Sequence, residues 1–177
     1  MIITIDGPPG SGKSTVAKIL GSRLGIPVVS VGRLFRAMAE ERKVSLEEFG
    51  RLAEKDESID RNLDKKTVEI AKNSKGVILD GRLTGAMVQM SGLRAFKVLV
   101  DAPLNVRASR VSGRDSITPA EAERAITVRE KSEGSRYRKI YGINYGDAAI
   151  YDLVIDSSDR KPDEIAELII KKLERGS

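Results

Sequence analysis

Short apolar runs recur along the chain, and most of them stop at an aspartate. Ile2-Ile3-Thr4-Ile5 stops at Asp6, Val77-Ile78-Leu79 at Asp80, Phe96-Lys97-Val98-Leu99-Val100 at Asp101 and Leu153-Val154-Ile155 at Asp156. A fifth run, Val28-Val29-Ser30-Val31, leads into Gly32. Runs this short and this continuously apolar predict strands of a sheet covered on both faces. Between them the apolar spacing turns helical. Helices are predicted over about residues 13–24, stopped by Gly25, and from Gly32 through Met38. Another follows Ser45, where Glu48 three positions on makes a capping box. The polar segment 56–75 is helical in pattern, with Ile59, Leu63, Val68 and Ile70 as inward positions. Pro103 is expected in the first turn of a helix carrying Val106, Arg107, Arg110 and Arg114. Thr118-Pro119-Ala120-Glu121 opens a long charged helix, and Ile165, Leu168, Ile169 and Leu173 mark one face of the last.

Strand and helix alternate throughout, without an internal repeat or linker. The prediction is an α/β fold, a five-stranded parallel sheet flanked by helices. Ligands of such sheets bind beyond the carboxyl ends of the strands. Segments 7–13, 30–36, 80–82 and 101–110 all follow strand ends and are expected to converge on one crevice.

The first of these segments is the most specific. Gly7-Pro8-Pro9-Gly10-Ser11-Gly12-Lys13-Ser14, followed by Thr15, matches G-x-x-x-x-G-K-[ST] in full, between a strand and a helix. In that setting the glycines turn the backbone so that successive N–H groups face a phosphate, and the helix N-terminus adds partial positive charge. Lys13 would reach the β- and γ-phosphates of a nucleoside triphosphate, and the Ser14 hydroxyl would bind Mg²⁺. The fold is thus expected to be of the P-loop NTPase type.

Composition narrows the chemistry. The 177 residues suffice for one domain, and 40% are hydrophobic against 32% charged. No apolar run is long enough to span a membrane, and the chain enters a strand at once, so a cytoplasmic protein without a leader is expected. There is no Cys and no His, which leaves Lys, Arg, Asp, Glu, hydroxyls and Mg²⁺ as the available chemistry. Phosphoryl transfer needs little else. The net charge of +5 suits either phosphorylated small molecules or nucleic acid. Aromatic residues at 4% leave few stacking platforms and argue against the second.

Three further arginine-bearing patterns follow. Ser30, Gly32 and Arg36 lie at a helix start after a strand, a setting for a second phosphate, or else an ordinary turn with solvated arginines. Asp80-Gly81-Arg82 ends the third strand, where an acid holds Mg²⁺ through water, a glycine lets a ligand approach, and Arg82 projects into the crevice. Arg110 and Arg114 share one helix face, and Gly113 is expected to end that helix and permit a hinge. Arg129 and Arg136, seven apart, also share a face. Either they close on the transferring phosphoryl group from a mobile lid, or Glu130 and Glu133 turn them into a salt-bridged solvent face.

Together these patterns resemble the nucleoside monophosphate kinases. Asp80-Gly81-Arg82-Leu83-Thr84-Gly85-Ala86 is similar to the D-G-R-D-x-G-T of bacterial cytidylate kinases in its first three residues and second glycine, and lacks the proline of the adenylate kinase D-G-[FY]-P-R. The run Arg129 to Tyr137, then Tyr141-Gly142-Ile143-Asn144 and Tyr151-Asp152-Leu153-Val154-Ile155, resembles the short archaeal-type cytidylate kinases, over nearly the whole chain. The resemblance implies ATP and Mg²⁺ on Gly7, Pro8, Pro9, Gly10, Ser11, Gly12, Lys13, Ser14 and Thr15, with Arg110 and Arg114 on the same nucleotide. It places CMP or dCMP on Ser30, Gly32, Arg36, Asp80, Gly81 and Arg82, Mg²⁺ on Ser14 and Asp80, and catalysis on Lys13, Arg82, Arg129 and Arg136. It implies a single domain over 1–177, a monomer, with its core at about 1–31, 76–110 and 150–177. The monophosphate segment would be 32–75 and the helical lid 111–149. Leu83 departs from the bacterial acid, and the bacterial cytosine-reading insert is short or absent, so no residue is assigned to the base beyond Asp56, Asp60 and Arg61 as weak candidates. Another small-molecule P-loop kinase of adenylate, uridylate or shikimate type, and a basic nucleic-acid-binding module, are the alternatives.

Overall fold

The computed structural model describes residues 1–144 and 147–175. Residues 145–146 of the expected lid and 176–177 of the expected core lie outside the described residues. Five parallel strands, β1 (Ile2–Asp6), β2 (Val28–Ser30), β3 (Val77–Gly81), β4 (Phe96–Asp101) and β5 (Leu153–Asp156), form one sheet in the order β2-β3-β1-β4-β5. The helices are α1 (Lys13–Leu24), α2 (Val31–Glu41), α3 (Leu46–Lys55), α4 (Ser58–Asn73), α5 (Thr84–Met90), α6 (Leu104–Asp115), α7 (Pro119–Tyr141) and α8 (Pro162–Arg175).

The hydrophobic pattern explains the layering. The central strands bury Ile3, Ile5, Ile78, Leu79, Val98 and Val100 completely. On one face α1 and α8 cover them with Val16, Leu20, Ile165 and Ile169. On the other, Ala71 of α4 and Val88 of α5 pack on Val77 and Leu79. The edge strands differ from expectation: β2 is half-buried throughout and Val154 of β5 is exposed, because an edge has cover on fewer sides. No described helix is long and apolar enough to cross a membrane.

Local chemistry sets the helix ends. The predicted capping boxes both form. Glu48 N donates to Ser45 Oγ at 3.1 Å while Ser45 N donates to Glu48 Oε2 at 2.9 Å, and Thr118 and Glu121 repeat the exchange. Each such cap contributes about 1 kcal/mol. Three boundaries depart from the sequence reading. Val31 begins α2 instead of ending β2, and Pro103 is the cap before α6 instead of its first turn. Gly113 does not end α6, which runs on to Asp115 and stops at Ser116 in the left-handed region (φ 55°). Helix α5 was not predicted at all; its seven residues carry too short a pattern to announce a helix.

The register fixes what faces the carboxyl edge. Ser30 pairs with Asp80, Asp80 with Ile5, and Asp6 with both Gly81 and Leu99. Strand β1 lies where the chain order reverses, between β3 and β4. The glycine-rich loop therefore leaves the sheet at its switch point, where open α/β sheets bind ligands.

Candidate active site

A cleft opens at this edge, lined from the β1–α1 loop, the β2–α2 junction, the end of β3, α4, α6 and α7. Pro9, Gly10, Gly12, Lys13, Ser14, Thr15, Ser30, Gly32, Arg36, Asp80, Gly81, Arg82, Arg114, Arg129 and Arg136 all line it, so most of the residues singled out in the sequence meet in one place. Gly7, Pro8, Ser11 and Arg110 do not line it. They build the wall behind the loop. Ser11 is buried, and its carbonyl accepts from Ser157 Oγ at 2.8 Å. Arg110 donates to that same Ser157 Oγ at 2.9 Å and reaches the carbonyls of Gly10 and Ser11.

The loop holds its shape through two glycines in particular. Gly12 adopts φ 87°, a conformation costly for any side chain. A Cβ on Gly7 would lie 2.0 Å from the Val100 carbonyl oxygen, so β4 admits only glycine there. Asp6 then fastens the neighbouring turn. Its buried carboxylate accepts from Thr84 N at 2.9 Å, Thr84 Oγ1 at 2.6 Å, Gly85 N at 2.8 Å and Tyr151 Oη at 3.2 Å. Burial raises the Asp6 pKa, and these donors oppose the rise. The start of α5 is thereby tied to β1, and the preceding Arg82 is aimed back at the loop. Arg82 donates through Nη1 to Gly7 O at 2.8 Å and through Nε to Glu133 Oε2 at 2.7 Å.

Glu133 was read only as one member of a possible solvent face. The structure excludes that face: Glu133 and Arg136 are 6% and 5% exposed. One Glu133 oxygen takes Arg82, and the other takes Arg129 Nε at 2.8 Å. The two guanidiniums outweigh burial and hold the Glu133 carboxyl down to about 2. Arg107, named in the sequence without a role, ties three elements together. It donates to Ala102 O at 2.8 Å, Pro9 O at 3.2 Å and Glu130 Oε1 at 2.8 Å.

Positive charge dominates the loop end of the cleft. Lys13 donates only weakly, to Pro8 O at 3.4 Å, and burial followed by Arg82 holds its pKa well below the ordinary lysine value. Arg36 makes no ion pair among the described residues; burial and then Arg129, Arg114 and Arg82 lower its pKa. Arg114 is mostly exposed and is held by Asp115 at 2.6 Å. Asp80, by contrast, buries Oδ1 with no hydrogen-bond partner among the described residues. A buried carboxylate oxygen left open in a cleft lined by cations is an acceptor awaiting a donor.

The far end of the cleft has another character. Arg136 donates to Asp60 Oδ2 at 2.7 Å and to Ser132 Oγ at 2.7 Å, and its guanidinium lies 5.3 Å from the Phe35 ring centre. The weak candidate Asp60 is thus in the cleft, whereas Asp56 and Arg61 do not line it. Asp64, missed in the sequence, also lines it and accepts from Tyr141 Oη at 2.7 Å. Its only signal was its spacing, one turn beyond Asp60 on the same face of α4.

Known proteins resemble this chain along most of its length. The model of the cytidylate kinase-like family matches residues 2–159. A cytidylate kinase of Methanobrevibacter smithii is 42% identical over 98% of this chain and 98% of its own length. One of Halobacterium salinarum is 42% identical over 96% of this chain and 88% of its own. Among solved structures, a protein from Eubacterium ventriosum superposes with TM-score 0.76 at 20% identity over 98% of both chains. A shikimate kinase from Bacteroides thetaiotaomicron superposes with TM-score 0.62 at 15% identity, over 99% of this chain and 98% of its own. The two structures establish the shared fold alone. With the family model spanning most of its length and the archaeal relatives nearly all of it, the chain belongs to the cytidylate kinase-like family.

Proposed function

We propose that this enzyme transfers the γ-phosphoryl group of ATP to CMP, and to dCMP, giving ADP and the nucleoside diphosphate. The observation that carries this is the loop end of the cleft, where Lys13 and Arg36 lie among Arg82, Arg114 and Arg129 and are held below their ordinary pKa values by burial and by those neighbouring cations. Cations held at such a disadvantage are stabilised by phosphate, and two phosphorylated substrates would supply it.

ATP phosphates lie along the loop amides between Gly10 and Thr15, with Lys13 on the β- and γ-phosphates. Arg114 meets the same nucleotide, and Arg110 braces the loop from behind. Ser30, Gly32, Arg36 and Arg82, with Asp80 and Gly81, hold the CMP phosphate. Ser14 and the open Asp80 oxygen suit Mg²⁺, which takes few protein ligands and fills its remaining positions with phosphate oxygens and water. Mg²⁺ held there would supply charge neutralisation to the phosphates. A CMP phosphate oxygen forms a bond to the γ-phosphorus as the bond to the β–γ bridging oxygen breaks, and ADP departs. That nucleophile is ionised at neutral pH, so no general base is needed, in keeping with a chain that lacks histidine. Lys13, Arg82 and Arg129 spread positive charge over the group in transfer.

In this assignment residues 32–75 cover the monophosphate and 111–149 form the lid, around a core of 1–31, 76–110 and 150–177. The enzyme is assigned as a monomer acting in the cytoplasm, where both substrates are supplied. The test is ADP release from ATP and Mg²⁺ with CMP, dCMP, UMP, AMP and GMP offered singly. Turnover highest with CMP and dCMP is expected. Turnover with AMP alone, or with none of the five, overturns the assignment.

A further inference from the structure

The far end of the cleft lies beyond the phosphate-binding cations. The charged groups that act most on Lys13 are Arg82, Asp80, Arg129 and Glu133, and those on Arg36 are Arg129, Arg114, Arg82 and Asp80. Asp64 answers to a different set, namely Asp60 and Arg136. An acceptor whose phosphate sits at Arg36 and Arg82 must place its base along the cleft, and the cleft continues between α2, α4 and α7.

Two polar groups are incompletely used there. Asp64 accepts from Tyr141 on Oδ2, while its Oδ1 receives no hydrogen bond from any described residue. Arg136 spends Nε on Asp60 and Nη1 on Ser132, while Nη2 has no acceptor among the described residues. Both side chains line the cleft, and Phe35, Leu63 and Tyr137 supply its apolar walls. A carboxylate oxygen beside a guanidinium offers one acceptor next to one donor. Cytosine presents the complement, an N4 amino donor beside the N3 and O2 acceptors. Uracil inverts it, setting O4 against the carboxylate and N3–H against the guanidinium. Adenine shares the amino-and-acceptor pattern and must be refused by size.

Resting on the proposed kinase activity, we propose that Asp64 and Arg136 read the base: the open Asp64 oxygen accepts from the N4 amino group of cytosine, and Arg136 Nη2 donates to its N3 and O2. Asp60 and Ser132 orient Arg136, and Tyr141 orients Asp64. Burial raises the Asp64 carboxyl to about 6, so a donor delivered by the substrate relieves a group that desolvation has disfavoured.

The test compares kcat/KM for CMP, UMP and the 4-deamino analogue of CMP (pyrimidin-2-one riboside 5′-monophosphate) in the native enzyme and in Asp64→Asn. One well-formed polar pair gives a discrimination of about 10- to 100-fold. The native enzyme should prefer CMP over the deamino analogue by that factor. In Asp64→Asn the two should converge to within about threefold, with UMP rising relative to CMP, since the carboxamide presents a donor to O4. Equal use of CMP and the analogue by the native enzyme overturns the assignment, as does a gap that survives in Asp64→Asn. The analogue series needs no variant, and Tyr141→Phe, which should narrow the CMP preference several-fold, serves if Asp64→Asn does not fold. Absence of native CMP turnover would instead remove the kinase reading itself, so the two failures are distinct.

Discussion

The two ends of the cleft solve different problems with different materials. The loop end binds charge. It uses backbone amides, a lysine, Arg82 from the end of β3, and arginines from α2 and α7, which the proposed phosphates would complete. The far end binds shape and hydrogen-bond pattern. There Arg136 is matched to Asp60, Asp64 to Tyr141, and only single atoms remain open. Unbalanced charge tolerates imprecise placement because Coulomb attraction falls slowly with distance. Hydrogen-bond recognition does not, since it fails within a fraction of an ångström. Hence the first end is built on the sheet edge itself, and the second needs three helices locked together.

Glu133 sits at the seam and is where the contrast can be broken most sharply. Glu133→Gln leaves Arg82 and Arg129 without their shared anion, and breaking a buried ion pair costs about 3–5 kcal/mol. The pH dependence fixes the sign. With its folded carboxyl held down to about 2, Glu133 contributes stability that is complete above the unfolded value near 4.5 and is lost as pH falls toward 2. Denaturant unfolding of the native enzyme should therefore weaken across that window, and the variant should show a shallower slope. Lys13→Ala comes next. Loss of one preorganised donor should lower kcat by about 10²–10³, roughly 2.7–4 kcal/mol, with the circular dichroism spectrum unchanged. Near-native turnover would erase the electrostatic account of the loop end. The smallest effect is at Asp64. Its carboxyl is raised to about 6, so the folded state binds a proton that the unfolded state has released above about 4, and stability falls as pH rises between the two. Asp64→Asn should remove that slope and be more stable than native at pH 8, as read by denaturant unfolding. Tyr141, Asp60 and Arg136, the groups facing Asp64, are unchanged in that comparison.

The same contrast explains what was legible in the sequence. Gly7 to Thr15 and Asp80-Gly81-Arg82 are contiguous, and contiguous segments that follow strands announce themselves by pattern. The sheet was legible for the same reason, each strand being a local apolar run. Glu133 and Asp64 were not legible, because their roles arise from partners 51 and 77 positions away in the chain. Charge pattern along α7 suggested salt bridges between near neighbours on a wet surface, and Arg129 with Glu133 does form one. What pattern omits is that Arg82 arrives from β3 to make the same carboxylate buried. Helix α5 escaped because Asp6, four residues past the start of β1, supplies the acceptors for its first amides. A helix begun by a carboxylate from another strand carries no cap of its own to be read.

Arg107 behaves as a rivet through three plates, and rivets fail from the side that is loaded. Its inner bonds to Ala102 and Pro9 are enclosed between β4 and the loop, while its outer bond reaches Glu130, whose side chain keeps 24% of its surface in solvent. Were α7 to swing as the proposed lid, water would compete first for that outer bond. The helix can then detach while the loop stays pinned to the sheet. Motion of one wall would thus be filtered before it reached the other, and the glycine-rich loop would keep its form.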